Sequence, residues 1–532
     1  MFVDSQTVFH IWPEIVLVFL ASWIYLGGAF QTSRTWWTIF SLAAYAVAAF
    51  IILKNESGLF TQQLSSSMVH VAGPVIVDYL GFVLRLVALL VGALFTLVAA
   101  QTVRAKLSSE YFGTLMLLVV GIMLATRAND LVFLFVSLEL ISIPTYVLLY
   151  LGRRDRLTAE AAGKYFFLSI FSSAVLLYGV SFLYGVTGTT VLMAPPGETS
   201  IASTLATLAS SQNSPGLLSI AMVLITAGLG FKIAAVPFHF YAPDVYEGAS
   251  NGNAGLLAIA PKLGGLAALI RVLVIAMPDS SHLAWQLLLV ITIASMTLGN
   301  ICALWQKNLR RLMAFSSIAH AGYMLIGLTV AAGVPGSQSG GIAAAVMYVI
   351  VYTLASAGTF AALAFLGGTE REVNSLEDIA GLGKQKPLAA AAIAMCMFSL
   401  AGVPPLAGFW GKFSLFTGAI RAATETSTLD GGPSIGVWMA VLGIAGAINA
   451  AIAAAYYLRV VAVMYFGTSQ REHGEEGGWG AQVAMCAATL LVLLFGFFPG
   501  RIASAAQQAD KFLVRPVANQ NSGMIDQGLG MK

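Results

Sequence analysis

The sequence predicts an all-α, polytopic membrane protein of about fourteen transmembrane helices, and three observations carry that prediction. The chain is 58% hydrophobic and only 10% charged, whereas charged residues supply about a quarter of an ordinary soluble domain. Mean hydropathy is +0.84. Apolar runs of about 20 residues, the length that crosses a ~30 Å hydrocarbon core, recur from end to end. The strand alternation of an outer-membrane barrel is absent.

In order, the runs lie near residues 13–30, 36–53, 80–100, 111–126, 131–151, 163–186, 217–240, 255–276, 285–305, 311–331, 342–366, 388–420, 435–466 and 481–498. Those at 388–420 and 435–466 exceed one crossing and read as tilted, broken or extended into solvent. Basic residues alternate between connections. After odd-numbered runs come Arg34; Arg104 and Lys106; Arg153, Arg154 and Arg156; Lys307, Arg310 and Arg311; Arg371, Lys384 and Lys386; and Arg471. After even-numbered runs come Lys54, Arg127 and Arg421 and little else. The positive-inside rule then places the odd connections in the cytoplasm and the N-terminus outside. Arg501, Lys511, Arg515 and Lys532 in the tail pull mildly against an outside C-terminus. Residues 54–79 and 187–216 read as outside loops, the second able to hold a short surface helix.

Several function classes drop out. A net charge of +3, scattered through loops, makes no case for nucleic-acid binding. The start, Met1-Phe2-Val3-Asp4, lacks the basic region of a cleavable signal. Cys302, Cys396 and Cys486 each sit in an apolar run and form no ligand pattern for zinc or iron–sulfur centres. They read as packing residues.

Two runs carry interruptions. The seventh breaks at Val236-Pro237, because proline lacks an N–H and its ring collides with the carbonyl of Ile233. The twelfth breaks along Gly402-Val403-Pro404-Pro405-Leu406-Ala407-Gly408. Each is the fourth in a set of five runs. Corresponding broken helices in two halves point to a transport site, since irregular backbone at membrane depth is tolerated only against protein or a water-filled cavity.

Charges cluster around those interruptions. Lys232 precedes the first, in Gly230-Phe231-Lys232-Ile233, and Lys412 follows the second, in Phe409-Trp410-Gly411-Lys412-Phe413. A lysine at a helix centre costs roughly 2.5–3.5 kcal/mol on insertion scales, so such residues mark function by default. Glu139 lies mid-run in Ser137-Leu138-Glu139-Leu140. It reads either as half of a structural ion pair or as a carboxylate whose distance from a lysine loads and unloads a proton. Lys262 lies inside the eighth run beside Pro261, and Lys164 begins the sixth, where it reads as a pathway group or a snorkelling one. His320, in Ala319-His320-Ala321, is either a proton relay or an interhelical hydrogen-bonder. His239, with Asp244 and Glu247 near it, reads as a proton entrance or a wetted loop. Arg85 and Arg271 read as snorkelling, and Glu14 as interfacial. Metals prefer carboxylates and imidazoles to lysines, and no nucleophile with an oriented base stands out. Proton transfer is the chemistry on offer.

At these residues the chain resembles the antiporter-like subunits of respiratory complex I, the proton-pumping NADH–quinone oxidoreductase. The resembling segments are Phe133–Tyr150, Gly163–Gly179, Gly230–Gly248, Gln306–Gly327 and Ser399–Phe416. Overall length, Lys164 and Lys412 resemble the subunit N type. Asn251-Gly252-Asn253-Ala254 departs from the proline-containing segment usual there. The resemblance implies two inverted five-helix repeats with discontinuous helices 7 and 12. The expected division is 1–105, 106–280 (first repeat), 281–470 (second repeat) and 471–532. It also implies a proton pathway through Glu139, Lys164, Lys232, Lys262, His320 and Lys412. No cofactor is expected in this chain; FMN, iron–sulfur clusters and quinone belong to partner subunits of the membrane and redox arms. The expected setting is a bacterial inner membrane. The competing reading is a subunit of a multisubunit cation/proton antiporter, which shares these motifs.

Overall fold

The structure, a computed structural model, describes residues 5–62, 70–153, 155–195, 197–210, 216–277, 282–334, 340–367, 372–427, 433–468, 477–511 and 513. The first helices are α1 (Ser5–His10), α2 (Trp12–Gly27), α3 (Arg34–Gln62), α4 (Tyr79–Thr102) and α5 (Ser108–Arg127). A small antiparallel hairpin, β1 (His70–Ala72) with β2 (Val75–Val77), separates α3 from α4. Next come α6 (Leu131–Gly152), α7 (Arg156–Thr187), α8 (Ile201–Ser210), α9 (Gly216–Lys232), α10 (Ala242–Gly248) and α11 (Asn251–Leu269), which continues as a π-helical stretch over Ile270–Ala276. The remainder holds α12 (His282–Leu304), α13 (Leu309–Gly333), α14 (Gly341–Gly367), α15 (Leu382–Gln385), α16 (Pro387–Ala401), α17 (Ala407–Ser427), α18 (Pro433–Phe466), α19 (Gly478–Phe497) and α20 (Gly500–Lys511).

Among the described residues, 11 helices are long and apolar enough to cross a membrane, and α2, α9 and α16 are shorter apolar helices. This is a helical integral membrane protein. Its centre is α11, α13 and α14, which are buried along nearly their whole length. Around them α12 packs on α13, α7 on α9, α5 on α6, and α14 on α19. The outer helices turn large apolar side chains outward, among them Phe19, Leu26, Phe50, Phe167 and Phe171. A soluble domain would not carry that surface.

Helix starts follow the short polar residues in the sequence. Asp78 caps α4 by accepting from Gly81 N–H at 2.8 Å. Asp130 caps α6 through Val132 and Phe133, and Asp155 caps α7 through Thr158 at 2.7 Å. Asn308 caps α13 through Arg310 and Arg311. Each side-chain oxygen satisfies an amide that the first turn leaves without a partner. The polar stretch expected from residue 54 starts later than its composition implies. Here α3 runs on to Gln62, because Glu56 on that extension is buried against two arginines. At 187–216 the expected short helix is present as α8.

Pro237 is the sequence's obvious breaking residue, yet α9 already ends at Lys232. Ala234 takes the left-handed conformation, φ 57°. The Ala235 N–H donates to Gly230 O at 2.8 Å and the Ala234 N–H to Phe231 O at 2.9 Å. Those two bonds are a Schellman ending. The second break ends its helix the same way. Gly402 has φ 91°; Val403 N–H donates to Phe398 O and Gly402 N–H to Ser399 O, both at 3.0 Å. Glycine tolerates that conformation freely, whereas the alanine carries a steric cost. Beyond the first break, Val236 N–H finds Ser295 Oγ at 2.9 Å, so the backbone amide is satisfied against protein.

Candidate functional site

Lys232 is the last residue of α9 and points between α6 and α7. Its Nζ lies 3.0 Å from Glu139 Oε1, 2.7 Å from Ser142 Oγ and 3.0 Å from Ser173 Oγ, with Ser169 Oγ at 3.4 Å. An ammonium has three hydrogens to donate, so the site offers more acceptors than one state uses. Ser173 also donates to Glu139 Oε1 at 2.5 Å. The lysine side chain is 3% exposed and the glutamate 21%, so one partner is locked in while the other faces outward. Glu139, Ser142, Ser169, Ser173 and Lys232 come from three helices, and the serines carried no sequence signal of their own.

Lys262, on α11, has no salt bridge among the described residues. It donates to Ser317 Oγ at 2.6 Å. Ser317 is shared with the hydroxyls of Tyr246, at 3.0 Å, and Tyr352, at 2.8 Å. One helical turn along α13, His320 is held at both ring nitrogens: Nδ1 by the Tyr348 hydroxyl at 2.5 Å and Nε2 by that of Tyr457 at 2.7 Å. Lys412, on α17, lies on the far side of the second break. Its Nζ donates to Ala401 O, the last carbonyl of α16, at 2.9 Å and sits 4.8 Å from the centre of the Tyr323 ring. A helix C-terminus and an aromatic face both favour a cation. Lys232, Lys262, His320 and Lys412 are all buried, at 4%, 2%, 2% and 4% exposure.

Lys164 stands apart. Its side chain is 40% exposed and pairs with Glu160 at 2.8 Å and Asp244 at 2.9 Å. Asp244 and Glu247 both pair with Arg311, so the acids near His239 belong to a half-exposed ionic patch. Three charges expected at the membrane surface are instead buried. Arg85 is 0% exposed and bonds Glu14 and Glu56; Glu14 is 2% exposed. Arg127 shares Glu56 at 2.9 Å. Arg271 pairs bidentately with Asp78. Pairing replaces snorkelling because each guanidinium meets carboxylates from other helices, a match invisible in a single run. Arg310 and Arg153 likewise converge on Glu372. Burial raises the Glu372 carboxyl more than those two arginines and the Asn251 amide lower it, leaving it above its ordinary range.

Among the described residues no group of three or more His, Cys, Asp or Glu side chains could hold a metal ion. The site's groups are amines, one carboxylate, an imidazole and hydroxyls. Residues 128–431 match the family described as NADH:quinone oxidoreductase/Mrp antiporter, transmembrane. NADH-quinone oxidoreductase subunit N of Trichlorobacter lovleyi is 35% identical, over 94% of this chain and 97% of that protein. The chain belongs to the NADH-quinone oxidoreductase subunit N family. The subunit N protein of Rhodospirillum rubrum, also 35% identical, covers 94% of this chain and 96% of its own. A chain of respiratory complex I from Thermus thermophilus, solved with bound aureothin, superposes on this chain with a TM-score of 0.73. It is 31% identical and covers 93% of this chain and 99% of that one. A chain of an archaeal membrane-bound sulfane sulfur reductase, at 23% identity and TM-score 0.78, shares the fold. So does one from the Mrp complex of Dietzia, at 19% and 0.74. The departure at Asn251-Gly252-Asn253-Ala254 opens no loop: α11 starts at Asn251 under a Ser250 cap and runs through Pro261.

Proposed function

We propose that this chain translocates protons as the N-type membrane-arm subunit of an NADH-quinone oxidoreductase. The observation that carries the reading is the Glu139–Lys232 pair at the end of a broken helix. A unit-charge pair ~4 Å apart at an effective dielectric of ~20 interacts by ~4 kcal/mol, roughly a thousandfold in a proton equilibrium. Drawing Glu139 away removes its counter-charge from Lys232 and favours release of the lysine's proton. Ser142, Ser169 and Ser173 hold the amine in place through the change. The proton then passes by way of Lys262 and His320 to Lys412, whose bond to the end of α16 places it beside the second break. Lys164, tied to Glu160 and Asp244, serves the cytoplasmic approach.

On this reading NADH, FMN, iron–sulfur clusters and quinone are handled by partner subunits. The movement of Glu139 originates in a neighbouring antiporter-like or small membrane subunit. The chain sits in a bacterial inner membrane with its N-terminus on the periplasmic side, and the two breaks belong to inverted five-helix repeats over 106–280 and 281–470. The shared Schellman ending of α9 and α16 supports that pairing. Identity of 31% to a complex I chain, against 19% to an Mrp chain, favours redox coupling over a gradient-driven antiporter. The test is NADH-driven proton pumping in vesicles with Lys232→Ala in the assembled complex. Loss of pumping with assembly intact is the expected result; unchanged pumping overturns the reading.

A further inference from the structure

His320 has two hydroxyl partners, and the remaining hydrogen bonds decide which ring nitrogen carries the proton. Asn300 Nδ2 lies 3.1 Å from the backbone carbonyl of Asn449, a group that only accepts. The amide nitrogen must therefore face that carbonyl, and Asn300 Oδ1 faces Tyr456. Tyr456 donates to Oδ1 at 3.1 Å, leaving its own oxygen free to accept. Ser316 Oγ lies 2.5 Å from the Tyr457 hydroxyl, and either oxygen can donate. The sense of that bond is set from the other end.

At the near end Tyr348 fixes that sense. Among the described residues Tyr348 has one hydrogen-bond partner, His320 Nδ1. If Nδ1 carried the hydrogen, the Tyr348 hydroxyl hydrogen would be buried without an acceptor, which is costly in a dry interior. Tyr348 therefore donates to Nδ1. His320 Nε2–H then donates to the Tyr457 oxygen, and the Tyr457 hydroxyl donates to Ser316 Oγ.

Resting on the proposed role of His320, we propose that Tyr348 is a positioning residue that fixes His320 as its Nε2–H tautomer and polarises the relay Tyr348 → His320 → Tyr457 → Ser316. The consequence is directional. The ring's one lone pair is covered by Tyr348, so His320 takes up a proton at Nδ1 only when that hydroxyl turns away. The Nε2 hydrogen then passes to the Tyr457 oxygen as the Tyr457 hydrogen passes to Ser316 and Ser316 gives its own hydrogen to a water, so that each oxygen ends as a neutral hydroxyl. Uptake and release occur on opposite sides of the ring. Lys262, reached through Ser317, and Lys412, over Tyr323, are the cations nearest this network, and Tyr323 and Tyr352 are the other phenols whose rings pack on the imidazole.

The test combines two readouts. The full-length chain, 15N-labelled at its 6 histidines and held in lipid nanodiscs, gives the His320 tautomer once the signal is assigned by its loss in His320→Gln. The expected result is Nε2–H alone in the wild type and a mixture in Tyr348→Phe, which keeps the ring packing and removes only the hydroxyl. Nδ1–H, or a mixture, in the wild type overturns the proposal. In the assembled complex, Tyr348→Phe is expected to slow coupled pumping roughly tenfold. If His320→Gln stops pumping and Tyr348→Phe does not, the tautomer has no directing role while the pathway stands. If neither variant affects pumping, His320 is off the pathway and the functional half of the proposal falls with it.

Discussion

The decisive residues are those whose partners come from other helices. Arg271 and Asp78 are buried at 1% and 3% exposure. Removing one member of such a pair leaves an uncompensated charge, at a cost of about 3–5 kcal/mol. Arg271→Met is therefore expected to lower the thermal stability of the assembled protein sharply, and adding Asp78→Asn, which removes the charge and keeps the cap on α4, to recover most of the loss. No recovery in the double variant would show that the arginine acts through Thr126 O, which it also bonds. Glu139→Gln keeps the bonds to Ser173 and Lys232 geometrically possible but removes the charge. Pumping is expected to fall far more than stability, read by vesicle assays beside a melting curve. The sequence exposed Glu139, Lys232, Lys262, His320 and Lys412 because a charge in an apolar run is conspicuous. It hid Ser142, Ser173, Tyr348 and Tyr457, because serine and tyrosine are ordinary in such runs and only the fold brings them to a nitrogen.

At the level of the element, the two breaks make an instructive pair. The same backbone ending uses Ala234 in α9 and Gly402 in α16. A Cβ in that conformation costs roughly 1–2 kcal/mol, partly offset by the lower chain entropy of alanine. Ala234→Gly is expected to be neutral or stabilising by up to about 1 kcal/mol in thermal unfolding. Gly402→Ala is expected to destabilise and also to disturb pumping, because its Cβ would lie 3.0 Å from Lys412 Cδ. Equal effects of the two on pumping would refute the contrast. The Asp155 cap of α7 has a pH signature. Burial raises the Asp155 carboxyl, but bonds from Thr158 and the charge of Arg153 outweigh it and hold the group below its ordinary range. A depressed folded value means the contribution is complete above about pH 4 and is lost as pH falls through the lowered value. Asp155→Ala should remove that acid-sensitive component and cost ~1 kcal/mol at neutral pH. Proline signalled that the seventh run was interrupted. It could not say where, because the interruption is set by the helix ending at Ala234, an unremarkable residue in the sequence.

For the whole molecule, composition alone determined the class: so little charge over so many apolar runs leaves only a helical membrane protein. Sidedness is the part left to experiment. Glu198 and Lys106 are exposed at connections assigned to opposite faces, so cysteines introduced there should react with an impermeant thiol reagent from opposite sides of sealed vesicles. Labelling from the same side would overturn the assignment. What composition could not give was the arrangement of the interior. The buried pairs Arg85–Glu14, Arg85–Glu56 and Arg271–Asp78 each join different segments, the last 193 residues apart, and no single run shows its partner.

Helix α14 carries a consequence for how the protein is made. Its 27 residues include no charged side chain, yet the structure surrounds it with protein rather than lipid. A nascent chain can therefore release α14 into the bilayer as a stable lone segment, long before α16 to α19 have been synthesised to enclose it. Insertion and enclosure become separate events. The late helices then displace lipid from α14, not water, so the drive for that final step comes from close packing and not from the hydrophobic effect.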